Sequence, residues 1–305
     1  ALVGNLVDGH SFINEVLEKG AKVIVYENEL DEYRKGITYI KVPNAHKAVG
    51  VISSNFYDNP SGQLKLIGIT GTNGKTTVAT LLHQLFYILG DKVGLIGTVV
   101  NKINDKSFEA ERTTPDSVTL NKLLADMVNA GCQYCFMEVS SHSVSEKRIS
   151  GLNFSGGIFT NLTLDHLDYH KTLENYRDAK KGFFEILPSN AFALTNIDDS
   201  NGLIITKTTK AKKYTYGFKN KADFQERLES KLIGEFNFYN ILAIYSTAIL
   251  LGKDKLKVKE TIKILDSVPG RFQHIKNTDD ITGIVDYAHT PDALKNVLGT
   301  INKMN

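Results

Sequence analysis

Lys75 and Thr76 directly follow the turn Gly71-Thr72-Asn73-Gly74 in the stretch "LIGITGTNGKTTVATLLHQL" at residues 66–85. That grouping has the parts a phosphate site needs. Backbone N–H groups of residues 71–75 can converge on an anion, and the dipole of a following helix favours negative charge there. The Lys75 ammonium can reach outer phosphates and the Thr76 hydroxyl can take a Mg²⁺ ion. The spacing departs from the common phosphate-loop pattern, which has Gly five residues before Gly74 where this chain has Ile69. A Gly-rich turn can also serve packing alone. Gly-Lys-Thr-Thr between an apolar strand and an amphipathic helix favours the phosphate reading.

A loop that holds a triphosphate calls for metal-binding groups at the ends of neighbouring strands. Glu138 ends the apolar run "YCFMEVSSH", where it can meet Mg²⁺ beside Thr76; the alternative is a carboxylate that caps the next helix. The strand "GGIFTNL" leads into "TLDHLDYH", which places Asp165, His166, Asp168 and His170 within six residues at another strand end. One of these histidines is a candidate ligand, weighed against a hydrogen-bonded structural role. Cys132 and Cys135 form a C-x-x-C. No second pair completes a zinc site and Cys135 lies in an apolar run, so buried thiols are expected.

The elements that must position these groups follow from periodicity. Alternating β-branched residues predict a strand over Leu64–Thr70. Apolar Val78, Leu81, Leu82, Leu85 and Leu89 predict a helix with one buried face. Further strands are expected at Lys92–Val99, Tyr134–Val139, Gly156–Asn161 and Ala191–Thr195, alternating with helices near 117–130, 175–186 and 235–251. Such alternation implies a largely parallel sheet covered on both faces. Before it, a helix near Ser11–Lys19, strands Ala21–Tyr26 and Thr38–Val42 and a helix from Asn44 to Phe56 form a small α/β piece, closed by the turn-rich "YDNPSG". "SVPGRF" at 267–272 resembles a second linker, followed by one strand, a polar loop and one helix. The expected class is therefore α/β: residues 1–63 a partial N-terminal domain, 64–272 a central phosphate-loop domain, and 273–305 the start of a Rossmann-like third unit inside which the chain stops.

The 305 residues are 42% hydrophobic and 23% charged, the composition of an ordinary globular protein of two or three domains. With 36 basic and 34 acidic residues, no nucleic-acid partner is indicated. No apolar stretch approaches the roughly 18 to 20 residues that span a bilayer, and "ALVGNLVDGH" lacks a basic start with a long apolar core. No membrane association and a cytoplasmic location are expected, and a monomer.

Eight motifs then come in a recognisable order: "GTNGKTT" (71–77), "RTTPDS" (112–117), "MEVSSHSV" (137–144), "TNLTLDHLDYH" (160–170), "YRDAKKGFF" (176–184), "GEFNFYNILA" (234–243), "PGRF" (269–272) and "DYAHTPDAL" (286–294). In this the chain resembles the Mur ligases, and among them the MurE group, the UDP-N-acetylmuramoyl-tripeptide synthetases. The resemblance implies an ATP-dependent amide ligase. ATP would phosphorylate the D-glutamate carboxylate of UDP-N-acetylmuramoyl-L-alanyl-D-glutamate, and the amine of a diamino acid, meso-diaminopimelate or L-lysine, would attack the acyl phosphate.

The same resemblance implies site roles. Gly71 to Thr77 would bind ATP. Mg²⁺ would sit at Thr76 and Glu138, and a second Mg²⁺ at His166 and Lys180, with Lys180 carbamylated. Without the resemblance, Lys180 and the adjacent Lys181 read as solvated helix lysines. Thr113, Thr114, Ser140, Glu146 and Arg148 match substrate positions, although Glu146 stands where many relatives have Gln. Asn237 and Asn240 match adenine-side positions. Arg271 matches a γ-phosphate contact that enters on domain closure, and Asp286 and His289 an ATP edge. Lys75, Lys180, His166 and Arg271 would carry the chemistry. Relatives also have a segment before Ala1 whose serine contacts the uridine diphosphate. Only the loop Asn5–Gly9 of that pocket is expected here, and residues 224–231 look shorter than in relatives. The motif that selects the incoming amino acid would fall beyond Asn305. Folylpolyglutamate synthase, another Mur ligase, or a non-catalytic nucleotide-binding module remain the alternatives.

Overall fold

The computed structural model describes residues 1–4, 7–276 and 282–304, so of the loop Asn5–Gly9 the first two residues lie outside it. The chain opens with helix α1 (Ile13–Glu18), strands β1 (Val23–Tyr26) and β2 (Thr38–Lys41) and helix α2 (Ala45–Phe56). The two strands pair in parallel, and Leu17, Ile24 and Tyr26 form a small core of their own. Asn44 starts α2 by accepting the Lys47 N–H at 2.7 Å, the polar cap that a helix start favours.

An eight-stranded sheet follows. Its members are β3 (Lys65–Thr70), β4 (Val93–Ile96), β5 (Val100–Ile103), β6 (Lys106–Glu109), β7 (Tyr134–Glu138), β8 (Gly156–Phe159), β9 (Phe192–Asn196) and β10 (Lys212–Tyr216). Their order is β10-β9-β8-β3-β7-β4-β5-β6; the first six are parallel, and β5 and β6 add an antiparallel hairpin at one edge. The class is α/β, as expected. Three details differ. The run Lys92–Val99 ends as a strand at Ile96 and reverses into the hairpin, β10 adds a further parallel edge strand, and β11 (Gln273–Lys276) starts directly after the 267–272 linker.

Helices cover both faces. They are α3 (Lys75–Ile88), α4 (Ser117–Asn129), α5 (Ser141–Ser145), α6 (Leu167–His170), α7 (Leu173–Glu185), α8 (Gly202–Ile205), α9 (Glu235–Leu250) and α10 (Lys255–Ile264). Successive residues of each central strand point to opposite faces, so every strand feeds two cores. Ile67, Ile69, Phe136 and Ile158 meet α3, α9 and α10 through Leu81, Leu82, Ile241, Ile244 and Ile262. Leu66, Cys135 and Met137 meet α4 and α7 through Leu120, Leu124, Met127, Phe183 and Phe184. Burial on both sides explains why the central strands read as nearly continuous apolar runs. The chain ends with β11 paired antiparallel to β12 (Thr282–Val285), then α11 (Pro291–Ile301). Among the described residues no helix is long and apolar enough to cross a membrane.

Cys132 and Cys135 are buried free thiols whose pKa values burial raises. His83 is a second buried titratable group. It sits on α3 with Nε2 3.1 Å from the Asn104 carbonyl, while Nδ1 has no partner among the described residues. Burial, then the charge of Lys102, pushes its pKa down to about 4, so the ring is neutral in the fold. An unfolded histidine titrates near 6.5, so the folded value is the lower one. The contribution to stability is therefore complete above about pH 6.5 and lost as pH falls toward 4. We expect this group to remove up to about 3 kcal/mol of unfolding free energy across that window. Denaturant titrations of wild type and His83→Gln between pH 7 and 4 measure it; parallel pH slopes would refute it.

Candidate active site

β3 lies between β7 and β8 at the middle of the sheet, so the loop that leaves its carboxyl end is flanked by the ends of both neighbours. Gly71 and Gly74 turn the chain there with φ of 149° and 87°. A Cβ on Gly71 would fall on the Thr160 hydroxyl, and one on Gly74 would lie 2.6 Å from Asn240 Oδ1, so both positions need glycine for space and for conformation. Gly74 is also the cap position of α3 and brings no side-chain acceptor, which leaves the first N–H groups of the helix open to an anion. Not all loop amides are free, however. Thr72 N–H donates to the Asn161 carbonyl at 2.8 Å and Asn73 N–H to Asn161 Oδ1 at 2.9 Å. The expected convergence of residues 71–75 thus narrows to the helix-proximal amides, with Thr72 and Asn73 used to hold the loop in shape.

Two lysines meet at this loop. Lys75 Nζ donates to the carbonyls of Gly71 at 3.0 Å and Thr72 at 2.8 Å, and Lys180 Nζ, from α7, donates to the same Gly71 oxygen at 2.9 Å. Lys180 is only 1% exposed, and its ammonium lies 4.3 Å from the ring centroid of Tyr176. The solvated reading of Lys180 is wrong, because its position on α7 faces the sheet. Lys181 is the outward one and pairs with Glu185 at 3.4 Å. Burial, reinforced by the nearby Lys75 charge, drives the Lys180 pKa well below the usual lysine range, with Asp165 opposing. Burial also lowers Lys75, against Glu138 and Asp165.

On the other side of the loop, Thr76 Oγ1 donates to Glu138 Oε2 at 3.0 Å, and Arg271 Nη2 donates to Thr76 Oγ1 at 3.1 Å. Arg271 therefore already stands in the site, braced at 4.7 Å on the Tyr287 ring. Glu138 is buried at the end of β7 and caps no helix. Ser140 caps α5, and Glu138 instead accepts from Thr98 N at 2.7 Å and Thr98 Oγ1 at 3.1 Å. The Thr76 hydroxyl and the Glu138 carboxylate are adjacent hard oxygen donors at the phosphate loop, the donor set a Mg²⁺ ion takes alongside phosphate oxygens and water.

The histidine cluster divides. His170 is buried with Nε2 2.9 Å from Ser141 Oγ, and its pKa falls to about 4 through burial and the adjacent His142, which marks a structural group. His166 is exposed, with φ of 52° and Nε2 3.4 Å from Asp165 Oδ2; the centroid of the Tyr176 ring lies 6.0 Å from that of its own ring and 4.3 Å from Lys180 Nζ. Among the described residues no group of three or more His, Cys, Asp or Glu side chains is arranged to hold a metal, so a second ion would depend on Lys180 and on ligand oxygens.

The remaining expected residues fall in two places. Asn237 and Asn240 lie on the first turns of α9, joined at 3.1 Å, with Asn240 against Gly74. Asp286 accepts the N–H groups of Phe272 at 2.6 Å and Ala288 at 2.7 Å, which pins the linker next to Arg271. His289 is exposed and bonded to the Tyr287 carbonyl at 3.0 Å, so it reaches the loop only through Tyr287 and Arg271. Thr113, Thr114, Ser140, Glu146 and Arg148 gather at the β7 end. Thr98 Oγ1 contacts Thr113 Oγ1 at 3.1 Å, Thr114 Oγ1 donates to the Glu138 carbonyl at 2.8 Å, Ser140 N–H donates to Thr114 Oγ1 at 3.1 Å, and Arg148 Nη1 donates to the Thr114 carbonyl at 2.9 Å. Thr98, Thr160, Asn161 and Tyr176 were missed as site residues. Each sits at a strand end or inside a quoted motif, and that position was the only available signal.

Residues 69–248 match the Mur ligase middle domain. The chain belongs to the Mur ligase family. It is 51% identical, over 99% of its length, to "UDP-N-acetylmuramoyl-L-alanyl-D-glutamate--2,6-diaminopimelate ligase" of Bacteroides thetaiotaomicron, and 52% identical, over its whole length, to the protein of that name from Cytophaga hutchinsonii. It spans 66% of the length of each. A solved structure titled as the ligase of the same name superposes with a TM-score of 0.81 at 28% identity, covering 96% of this chain and 64% of that one.

Proposed function

We propose that this chain carries the ATP-binding and acceptor-binding parts of an ATP-dependent ligase that adds a diamino acid to UDP-N-acetylmuramoyl-L-alanyl-D-glutamate in peptidoglycan precursor synthesis. The observation that carries the reading is the meeting of Lys75 and Lys180 on one carbonyl, next to the Thr76–Glu138 pair and Arg271. A carboxylate resists nucleophiles because of its charge. Attack of its oxygen on the γ-phosphorus of ATP, with release of ADP, gives an acyl phosphate. The amine then bonds to the acyl carbon, phosphate departs and the nitrogen loses a proton. Charge spreads over phosphoryl oxygens in the first step, and Lys75 and Arg271 are placed to offset it. Mg²⁺, held by Thr76 and Glu138, would supply further positive charge at those oxygens. The names of the relatives favour 2,6-diaminopimelate over L-lysine as the incoming amine.

Lys180 fits a carbamate. Burial favours loss of the ammonium proton; the neutral amine can then bond to the carbon of CO₂ and release one N–H proton, and the resulting carbamate anion would help hold a second Mg²⁺ with His166. The reaction is assigned to the cytoplasm and to a monomer. The deciding experiment incubates the full-length protein with ATP, Mg²⁺ and each acceptor and amine in turn, following phosphate release and product mass. UDP-muramoyl tripeptide supports the reading; turnover only with a folate or a different UDP-peptide overturns it. Within the same assay, Arg148→Ala should raise the KM for the UDP-dipeptide about 10- to 100-fold, the worth of a charge-assisted contact of roughly 1.5–3 kcal/mol. A selective rise in the KM for ATP would place the acceptor elsewhere.

A further inference from the structure

Glu146 and Arg148 are two residues apart, a spacing at which side chains on a helix diverge. Here they meet. The cause is the way α5 ends: Lys147 N–H bonds to the Val144 carbonyl at 3.2 Å and Arg148 N–H to the Ser143 carbonyl at 2.9 Å, with Lys147 at φ 58°. These are the paired closing bonds of a Schellman motif, with Lys147 in the left-handed position usually given to glycine. The reversal brings Arg148 back beside Glu146, so that Nε donates to Glu146 Oε2 at 2.8 Å and Nη2 lies 2.5 Å from the same oxygen as an ion pair. The side chains are 17% and 27% exposed, so the pair is only partly screened by water.

A guanidinium has five N–H donors. Nε donates to Glu146 and Nη1 to the Thr114 carbonyl. N–H groups remain on both terminal nitrogens, and a carboxylate accepts from such a pair as a fork. The other anchor is equally fixed, because the Thr114 hydroxyl is bonded to the backbone of Glu138. Arg148 is therefore clamped from two sides, and one clamp leads through Thr114 to the backbone of Glu138 at the end of β7.

We propose that Glu146 does not touch the acceptor but is the positioning residue for Arg148, holding its free fork toward a carboxylate of the acceptor peptide at a set distance from the phosphoryl donor. The inference rests on the acceptor class proposed above. Because the Glu146 charge offsets that of Arg148, recognition at this point depends on the direction of the fork more than on net positive charge. A Gln at this position would keep the geometry, since an amide oxygen still accepts from Nε.

The test uses the full-length protein with Glu146→Ala and Glu146→Gln, measuring UDP-dipeptide binding by calorimetry, KM for UDP-dipeptide and for ATP, and thermal midpoint. Glu146→Ala should weaken UDP-dipeptide binding about tenfold, with the KM for ATP changed less than about twofold and the midpoint nearly constant, as expected for loss of one charge-assisted contact. Glu146→Gln should recover most of that affinity. Equal or tighter UDP-dipeptide binding by Glu146→Ala would show the carboxylate competing with the acceptor and overturn the proposal, as would a parallel loss of both substrates with the fold. Failure of wild type to bind the UDP-dipeptide at all overturns the acceptor assignment itself, and this inference with it.

Discussion

Lys180→Ala is expected to abolish ligation, by about a thousandfold or more in turnover, while the protein still folds. Loss of a single preorganised charge-stabilising group in an active site typically lowers turnover by about 10²–10³-fold, and Lys180 would contribute both its own carbamate and the metal that the carbamate holds. The fold should survive because the Gly71 carbonyl keeps its bond to Lys75. The vacated lysine stem leaves a cavity beside Tyr176, at about 1–3 kcal/mol of stability. Formate or acetate should restore part of the activity by occupying the vacated anion position, and ¹³C-bicarbonate should give a carbamate signal in wild type that the variant lacks. Full activity in Lys180→Ala, or a bare amine in an active, metal-loaded protein, would return the residue to a purely structural role.

That lysine also shows where reading residues alone stops. "RDAKKGFF" has two adjacent lysines; the helical spacing of Tyr176, Phe183 and Phe184 puts Lys180 on the buried stripe and Lys181 beside the charged Arg177 and Asp178, but residue type alone made both read as solvated, and only the motif register was used to separate them. The central strands were legible because β3, β7, β8 and β9 are buried on both faces and written in apolar residues. The hairpin of β5 and β6 was not, since β6 is exposed throughout and carries no alternation to read. α10 was overlooked although Val258, Ile262 and Leu265 keep the helical spacing; its lysine-rich outer face obscured a narrow apolar stripe. At the site, Lys75, Thr76 and Glu138 could be found from type and position. Thr98 and Tyr176 could not, because their importance comes from pairings 40 and 104 residues away in the chain. Arg271 had a similar limit: its linker position predicted entry on closure, whereas the bond of Asp286 to Phe272 already holds it at Thr76.

Lys75→Ala should remove nucleotide turnover with little effect on the fold. The Lys75 ammonium now rests on the Gly71 and Thr72 carbonyls, and a bound triphosphate would offer it stronger, anionic acceptors. Without the side chain, the Gly71 carbonyl retains Lys180, and the loop keeps the Asn161 bonds to Thr72 and Asn73 and the bond from Thr160 to the Asn73 carbonyl at 2.6 Å. Stability should therefore change by only about 1–2 kcal/mol, because the two bonds lost come from an ammonium whose burial is itself costly. Ground-state ATP binding should weaken about 10- to 100-fold, because one charge-assisted contact is lost. Turnover should fall further, since charge on the transferring phosphoryl oxygens is what the lysine would offset most strongly. Calorimetry with a non-hydrolysable ATP analogue separates the first effect from the second, and denaturant titration measures the third. A variant that binds and turns over ATP as wild type does would mean that the helix-end amides and Arg271 suffice, and that Lys75 serves only to close the loop.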